Sequence, residues 1–245
     1  GEKWIKVLDK DPGGWPPSMT KAKLEDVRSR FGEDWPITRI VEDTLEMALL
    51  TLDKLKKYFE EPGKFLMIQA EEITDSYNEY PIHVNATNVV EFIAPQGGNS
   101  THDVLQRNIN AIYKQREKAG QVILAHVNHP NFGWGIVAED LIDLQGDPFF
   151  EVYNGHPRVG NWGDDAHPST DRMWDIVLAM RLHQGLEPLF GLAVDDTHGY
   201  YKNKIGESYP GRGWVMVKAQ ALNTENIIAS LEEGNFYSTT GVILE

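Results

Sequence analysis

Residues 101–130 read THDVLQRNINAIYKQREKAGQVILAHVNHP, and this stretch sets the fold class. Residues 101–119 read as a helix, with Thr101 as its N-cap and Gly120 as the glycine just past its end. Val122–Val127 follows as a strand, a nearly continuous apolar run of the kind that parallel sheets bury on both faces. The run opens directly into Ala125-His126-Val127-Asn128-His129-Pro130. Helix, tight stop, buried strand and polar strand end together make one unit of an α/β fold.

The same alternation extends in both directions. Further strand-like runs are Phe65–Thr74, His83–Val90, Phe149–Tyr153, Leu189–Val194, Trp214–Lys218 and Phe236–Leu244. Helices are predicted at 138–144, 172–185 and 223–233, with Ser169 and Asn223 as N-caps and Gly185 and Gly234 as terminal glycines. Such alternation implies βα units around a parallel sheet, either open or closed into a barrel. Upstream, residues 1–37 are rich in Gly, Pro and Trp and read as irregular. A long amphipathic helix is predicted after Thr38, with an apolar stripe from Ile40 to Phe59, ending at Pro62-Gly63. No internal repeat is found, nor any linker long enough to separate one domain from another, so residues 1–245 read as one domain. Both ends look cut: the chain starts with no strand before Gly1 and stops within an apolar run at Glu245.

The 245 residues are 41% hydrophobic, enough for one sizeable core. Lys plus Arg total 23 against 37 Asp plus Glu, a formal net charge of −14. That excess opposes non-specific binding to nucleic acid or to an anionic membrane surface. It leaves room for a phosphorylated substrate, because a metal or a local Arg/Lys group can reverse the field within one cleft. There is no Cys, which excludes disulfides, thiolate–zinc sites and thiol catalysis. No apolar run approaches the length of a membrane span, and no signal-peptide pattern is read in these residues; a soluble chain is expected, cytoplasmic, or secreted or periplasmic if a signal peptide was removed.

Sites in α/β folds form at the carboxyl ends of strands. There this chain places Glu71-Glu72, His83, His126 and His129, Glu151 with Asn154-Gly155-His156, and Asp195-Asp196-Thr197-His198. A single His or Glu at a strand end is more often capped or solvated than a ligand, and Asp196-x-His198 alone is weak. Successive strands each ending in a ligand-type residue raise the metal reading, and imidazole with carboxylate suits zinc, manganese or iron. His102, His167 and His183 read as helix-end or loop residues. No P-loop, G-x-G-x-x-G or G-x-S-x-G motif occurs.

The order of these segments resembles the PHP (polymerase and histidinol phosphatase) superfamily over residues 65–245. The motifs are Glu72-Ile73-Thr74, Ile82-His83-Val84-Asn85, Ala125 to Pro130, Glu151 to Asn154 and Asp196-Thr197-His198, followed by a Gly213–Val217 tail. The resemblance implies a distorted (β/α)7 barrel with a cluster of two or three divalent ions, Zn, Mn or Fe, that hydrolyses phosphate esters. It implies Glu72, His83, His129, Asp196 and His198 as metal ligands, with Glu72 bridging two ions. Asp196, His198 and His126 are then the catalytic candidates, His126 on the substrate side. Family members begin with a His-x-His strand and an Asp-His pair, whereas no His precedes position 83 here. The resemblance therefore implies that the chain lacks its first βα units, and that Glu72, His83 and His129 are the most fully retained ligand set.

The expected function is a metal-dependent phosphoesterase acting on a small phosphorylated substrate. Arg158, Lys202, Lys204 and Arg212, in predicted loops, are candidates to neutralise its phosphate. The alternatives are an amidohydrolase-like enzyme and a non-catalytic scaffold that has lost a ligand set. Strand parity separates the adjacent carboxylates, since neighbours point to opposite faces. The set Leu66, Ile68, Ala70, Glu72 leaves room for ions, while Phe65, Met67, Gln69, Glu71 suits packing beneath helices.

Overall fold

The computed structural model describes residues 3–10, 18–146, 149–199 and 206–244. The chain divides into two compact units, Gly1–Met67 and Ile68–Glu245. In the first, β1 (Lys3–Lys6), α1 (Lys21–Phe31), β2 (Thr38–Val41), β3 (Thr44–Leu49) and α2 (Leu52–Phe59) follow in order. The three strands form an antiparallel sheet, β1-β3-β2. The stretch read as irregular thus carries a strand and a helix, whose Thr20 side chain accepts the Lys23 N–H. The long helix predicted after Thr38 does not form. Glu42 and Asp43 take φ of 46° and 60°, the two left-handed positions of a tight hairpin turn, and β2 and β3 pair about them. Only residues 52–59 keep the helical period, as α2. Apolar spacing there fits both periods, and cross-strand pairing with β1 decides between them.

The second unit contains β4 (Ala70–Tyr77), β5 (Tyr80–Thr87), α3 (Thr101–Ala119), β6 (Leu124–Val127), α4 (Ala138–Ile142), β7 (Phe149–Asn154), α5 (Thr170–Gln184), β8 (Phe190–Val194), β9 (Trp214–Val217), α6 (Thr224–Glu232) and β10 (Phe236–Thr239). The cap of helix α3 lies one residue before the predicted Thr101: Ser100 accepts the Asp103 N–H. It ends on Gly120, whose φ of 62° is readily reached by glycine. Ser169 and Asn223 cap α5 and α6.

Strands β4 to β8 form one five-stranded sheet in sequence order. Strand β5 runs antiparallel to both β4 and β6, while β6, β7 and β8 are parallel. The expected distorted (β/α)7 barrel is therefore not formed. The described sheet is open, and β9 and β10 pair only with each other in a second, two-stranded sheet. The cause is local. Asn78 and Glu79, at φ of 47° and 68°, join β4 to β5 by a two-residue hairpin, and such a turn joins only antiparallel neighbours. Apolar runs announce burial without announcing direction, so this reversal is silent in the hydropathy pattern.

The alternation of each strand gives the sheet two unlike faces. Ile73, Ile82, Val84, Ala86, Ala125, Val127 and Phe150 point to one face, where they are buried with Leu105, Ile109 and Ile112 of α3 and Met173 and Val177 of α5. On the other face Leu124, Phe149 and Leu192 pack with Ile228 and Leu231 of α6. Beyond this second cluster, the same face carries polar side chains in place of apolar ones. Among the described residues, no helix is long and apolar enough to cross a membrane.

Candidate metal centre

The register of the sheet assembles the polar patch. Asn85 of β5 stands opposite Glu72 of β4 on one side and opposite His126 of β6 on the other. His83 lies two residues from Asn85 and shares its face, and the Asn128 N–H donates to the His83 carbonyl at 3.1 Å. Positions 72, 83 and 129 thereby meet. His83 Nδ1 lies 2.9 Å from Glu72 Oε1 and His129 Nε2 lies 3.6 Å from the same oxygen. One ligand atom from each of Glu72, His83 and His129 falls within 4.8 Å of the others. Donors around a tetrahedral ion with bonds of about 2.0 Å sit about 3.3 Å apart, so small side-chain movements would close this group on one ion. Glu72 is exposed, His83 half-buried and His129 buried, the gradient expected where a site opens from the core to a cleft.

The supporting shell is extensive. Asn128 Nδ2 donates to Glu72 Oε1 at 2.6 Å. Glu151, only 1% exposed, accepts the His129 N–H at 2.8 Å and Asn154 Nδ2 at 2.8 Å on Oε2. Its Oε1 lies 3.1 Å from His126 Nε2, and Asn85 Nδ2 lies 2.9 Å from that same nitrogen. A bulge in β7 between Glu151 and Tyr153 brings Asn154 back to the side of Glu151, which a regular strand would not do at a spacing of three. Glu72, Asn85, His126, Asn128, Glu151 and Asp196 line a cleft of about 560 Å³. Two buried polar atoms there, His126 Nδ1 and Asn128 Oδ1, have no hydrogen-bond partner. Buried polar atoms are rarely left so. These orphans, beside a carboxylate and two imidazoles, fit a site that takes a cation and its attendant polar groups.

The other candidates are placed differently. Asp196, at a left-handed φ of 48°, follows β8 and accepts Asn154 Nδ2 at 3.2 Å, which links it to Glu151. His198, with its side chain 64% exposed, turns Nδ1 to the Asp196 carbonyl at 2.8 Å. Neither joins the Glu72 group among the described residues. Arg158 lies exposed in the loop after β7. Arg212 donates to the Glu207 carbonyl and stacks over Tyr209, while its backbone N–H caps Asp195. Lys202 and Lys204 lie outside the described residues. Asn85, Asn128 and Asn154 stand within the quoted motifs, but the sequence reading gives them no role. Their signal was parity, two residues from His83 and His126 for the first two. Glu71 takes the opposite side of its strand from Glu72: its Oε2 accepts the Ile93 N–H at 2.9 Å.

Gly155 permits the β7 and β8 ends to meet. A Cβ there would stand 2.8 Å from the Asp195 carbonyl and 2.9 Å from Arg212 Cβ. Gly155→Ala is expected to cost about 1–3 kcal/mol and to separate Asn154 from Asp196. Thermal melting checks it, and an unchanged melting temperature would show that the two ends do not abut.

Electrostatics give the group a pH signature. The His129 and His83 imidazoles hold the Glu72 carboxyl far below its ordinary value of 4.5, against partial burial. Burial acts to lower His129, but the Glu72 carboxylate, helped by the charges of Glu151 and Asp196, outweighs it and raises His129 above its ordinary 6.5. The stability due to Glu72 is therefore present above pH 4.5 and lost as pH falls through its lowered folded value. That due to His129 is present below pH 6.5 and lost as pH rises through its raised folded value. The melting advantage of metal-free wild type over Glu72→Gln should peak between pH 4.5 and 6.5; an advantage still climbing above pH 8 would contradict it. A metal ion held by this group would have to displace the His129 proton, so its affinity would rise with pH.

No protein-family model, curated protein or solved structure matches the chain.

Proposed function

We propose that the chain is a metal-dependent hydrolase of phosphate esters, related to the PHP superfamily in the order of its ligands. One observation carries the reading: Glu72, His83 and His129 bring a carboxylate and two imidazoles within 4.8 Å of one another, beside a polar cleft that Glu72 itself lines. Divalent zinc, manganese or iron, when bound, supplies Lewis acidity and brings the pKa of water toward about 7. The remaining roles belong to the chain. His83 and His129 offer neutral imidazole donors, Asn128 fixes the Glu72 carboxylate, and Glu151 fixes the His129 backbone. Asp196 and His198 supply donors for a further ion, completing a centre of two or three. His126, in the cleft wall against Glu151, can hold a proton beside a leaving oxygen.

The test loads the purified chain with each metal, measures bound metal by mass spectrometry, and then assays phosphomonoesters, phosphodiesters and amides. Bound metal with phosphoester turnover is expected. Absence of bound metal would favour a scaffold, and turnover of amides alone would favour an amidohydrolase.

A further inference from the structure

The ends of β7 and β8 present two imidazoles, His156 and His198, with ring centroids 4.9 Å apart. Their surroundings give them opposite chemistry. His198 Nδ1 faces the Asp196 carbonyl at 2.8 Å. A carbonyl only accepts, so Nδ1 carries the proton and Nε2 keeps a lone pair. This is the arrangement of a metal-ligating histidine. At His156 the Arg158 N–H donates to Nδ1 at 3.3 Å. A backbone N–H only donates, so Nδ1 holds the lone pair and Nε2 bears the proton. His156 therefore offers an N–H where its neighbour offers a lone pair.

The loop that sets this tautomer is tied down. The His156 N–H donates to Asn154 Oδ1 at 2.7 Å, and the Val159 N–H donates to the His156 carbonyl at 3.1 Å. Phe132 packs against both the His129 and His156 rings, tilted to the first at a centroid distance of 4.9 Å and edge-on to the second at 6.1 Å. A chain of ring contacts, passing through Phe132, thus connects His156 with His83, His129 and His198, and within it the donor nitrogen of His156 is Nε2.

We propose that His156, through Nε2–H, donates a hydrogen bond to an oxygen of a phosphoryl group held beside the metal centre, and is not itself a metal ligand. The proposal rests on the phosphoester reading above for the identity of the anion. A phosphate monoester dianion presents only acceptor oxygens. Asp196 and Glu72, both carboxylates on the cleft wall, can offer it nothing but repulsion. A fixed neutral N–H answers that need and leaves the lone pairs of His83, His129 and His198 for cations.

Inorganic phosphate titrated into the zinc-loaded full chain tests this by calorimetry, alongside bound metal and the side-chain nitrogen shifts of 15N-histidine-labelled protein. Wild type is expected to bind phosphate, with the His156 signals showing the Nε2–H form. His156→Ala should weaken phosphate binding by about tenfold or more at unchanged metal content. His156→Gln, whose amide N–H can reach the same place, should recover most of it. The proposal is overturned if wild type binds no phosphate, if His156→Ala loses metal, if phosphate affinity is unaltered, or if the Nδ1–H form is seen. The functional reading fails separately. Phosphate binding that depends on His156, without phosphoester turnover, would sink that reading and leave this one standing. Turnover with no effect of His156 on phosphate binding would do the reverse.

Discussion

Glu72→Gln is expected to lower metal affinity by more than about 100-fold, beyond the range seen when only an outer-shell partner is removed. Glu72 Oε1 is the atom shared by His83, His129 and Asn128. The substitution keeps the shape of the side chain and takes away the one negative charge among the three donors. A neutral amide would leave His83 and His129 as the only strong ligands, and it would place an N–H or a weaker carbonyl against them. Glu71→Gln is the control. Its carbonyl can still accept the Ile93 N–H that Glu71 Oε2 accepts now, so metal binding should be unchanged and stability should move by no more than about 1 kcal/mol. Titration of both variants with zinc, followed by bound-metal analysis, decides the matter. A Glu72→Gln chain that retains wild-type affinity would remove the carboxylate from the centre.

How far such a site can be read in advance depends on which interactions build it. The bounds of α3, α5 and α6 are legible to within a residue or two because their caps and terminal glycines are local chemistry: Ser169 and Asn223 each accept an N–H three residues on, as does Ser100, the neighbour of the predicted Thr101. The sheet is less so. The β4–β5 turn is made by Asn78-Glu79 with no glycine, so the usual hairpin signal is absent although both residues adopt positive φ. Without that turn nothing reverses β5, and the run of strands reads as the parallel set that a barrel requires. The grouping of Glu72, His83 and His129 comes through resemblance, because spacings of 11 and 46 positions carry no local meaning. It is the antiparallel register, Thr74 opposite His83 and Val84 opposite Val127, that brings them to one place. The amides are harder still. Asn85 and Asn128 declare only their parity, and Asn154 reaches Glu151 through a bulge with no marker in its sequence.

That buried carboxylate is where the second large effect is expected. Glu151 receives the His129 N–H and the Asn154 amide on one oxygen and sits against His126 and Asn85 on the other. Glu151→Ala would leave those donors buried without an acceptor. Removing one partner from a buried charged network costs about 3–5 kcal/mol, a fall of about 6–20 °C in melting temperature for a unit of this size. The cost should also reach the metal. His129 is oriented by the bond from its backbone to Glu151, so loss of that bond is expected to weaken metal affinity by about 10- to 100-fold, as for other outer-shell partners. Glu151→Gln separates charge from acceptance. Its carbonyl oxygen can still take the His129 N–H, but its own N–H then faces His126 and Asn85, so a loss of about 1–3 kcal/mol is expected, with metal affinity between those of the other two chains. Calorimetric melting and zinc titration of the three proteins would show this order. If Glu151→Ala melts with wild type and binds zinc equally well, the carboxylate neither holds the sheet face together nor steers His129, and the support of the centre would have to come from the Glu72–Asn128 side alone.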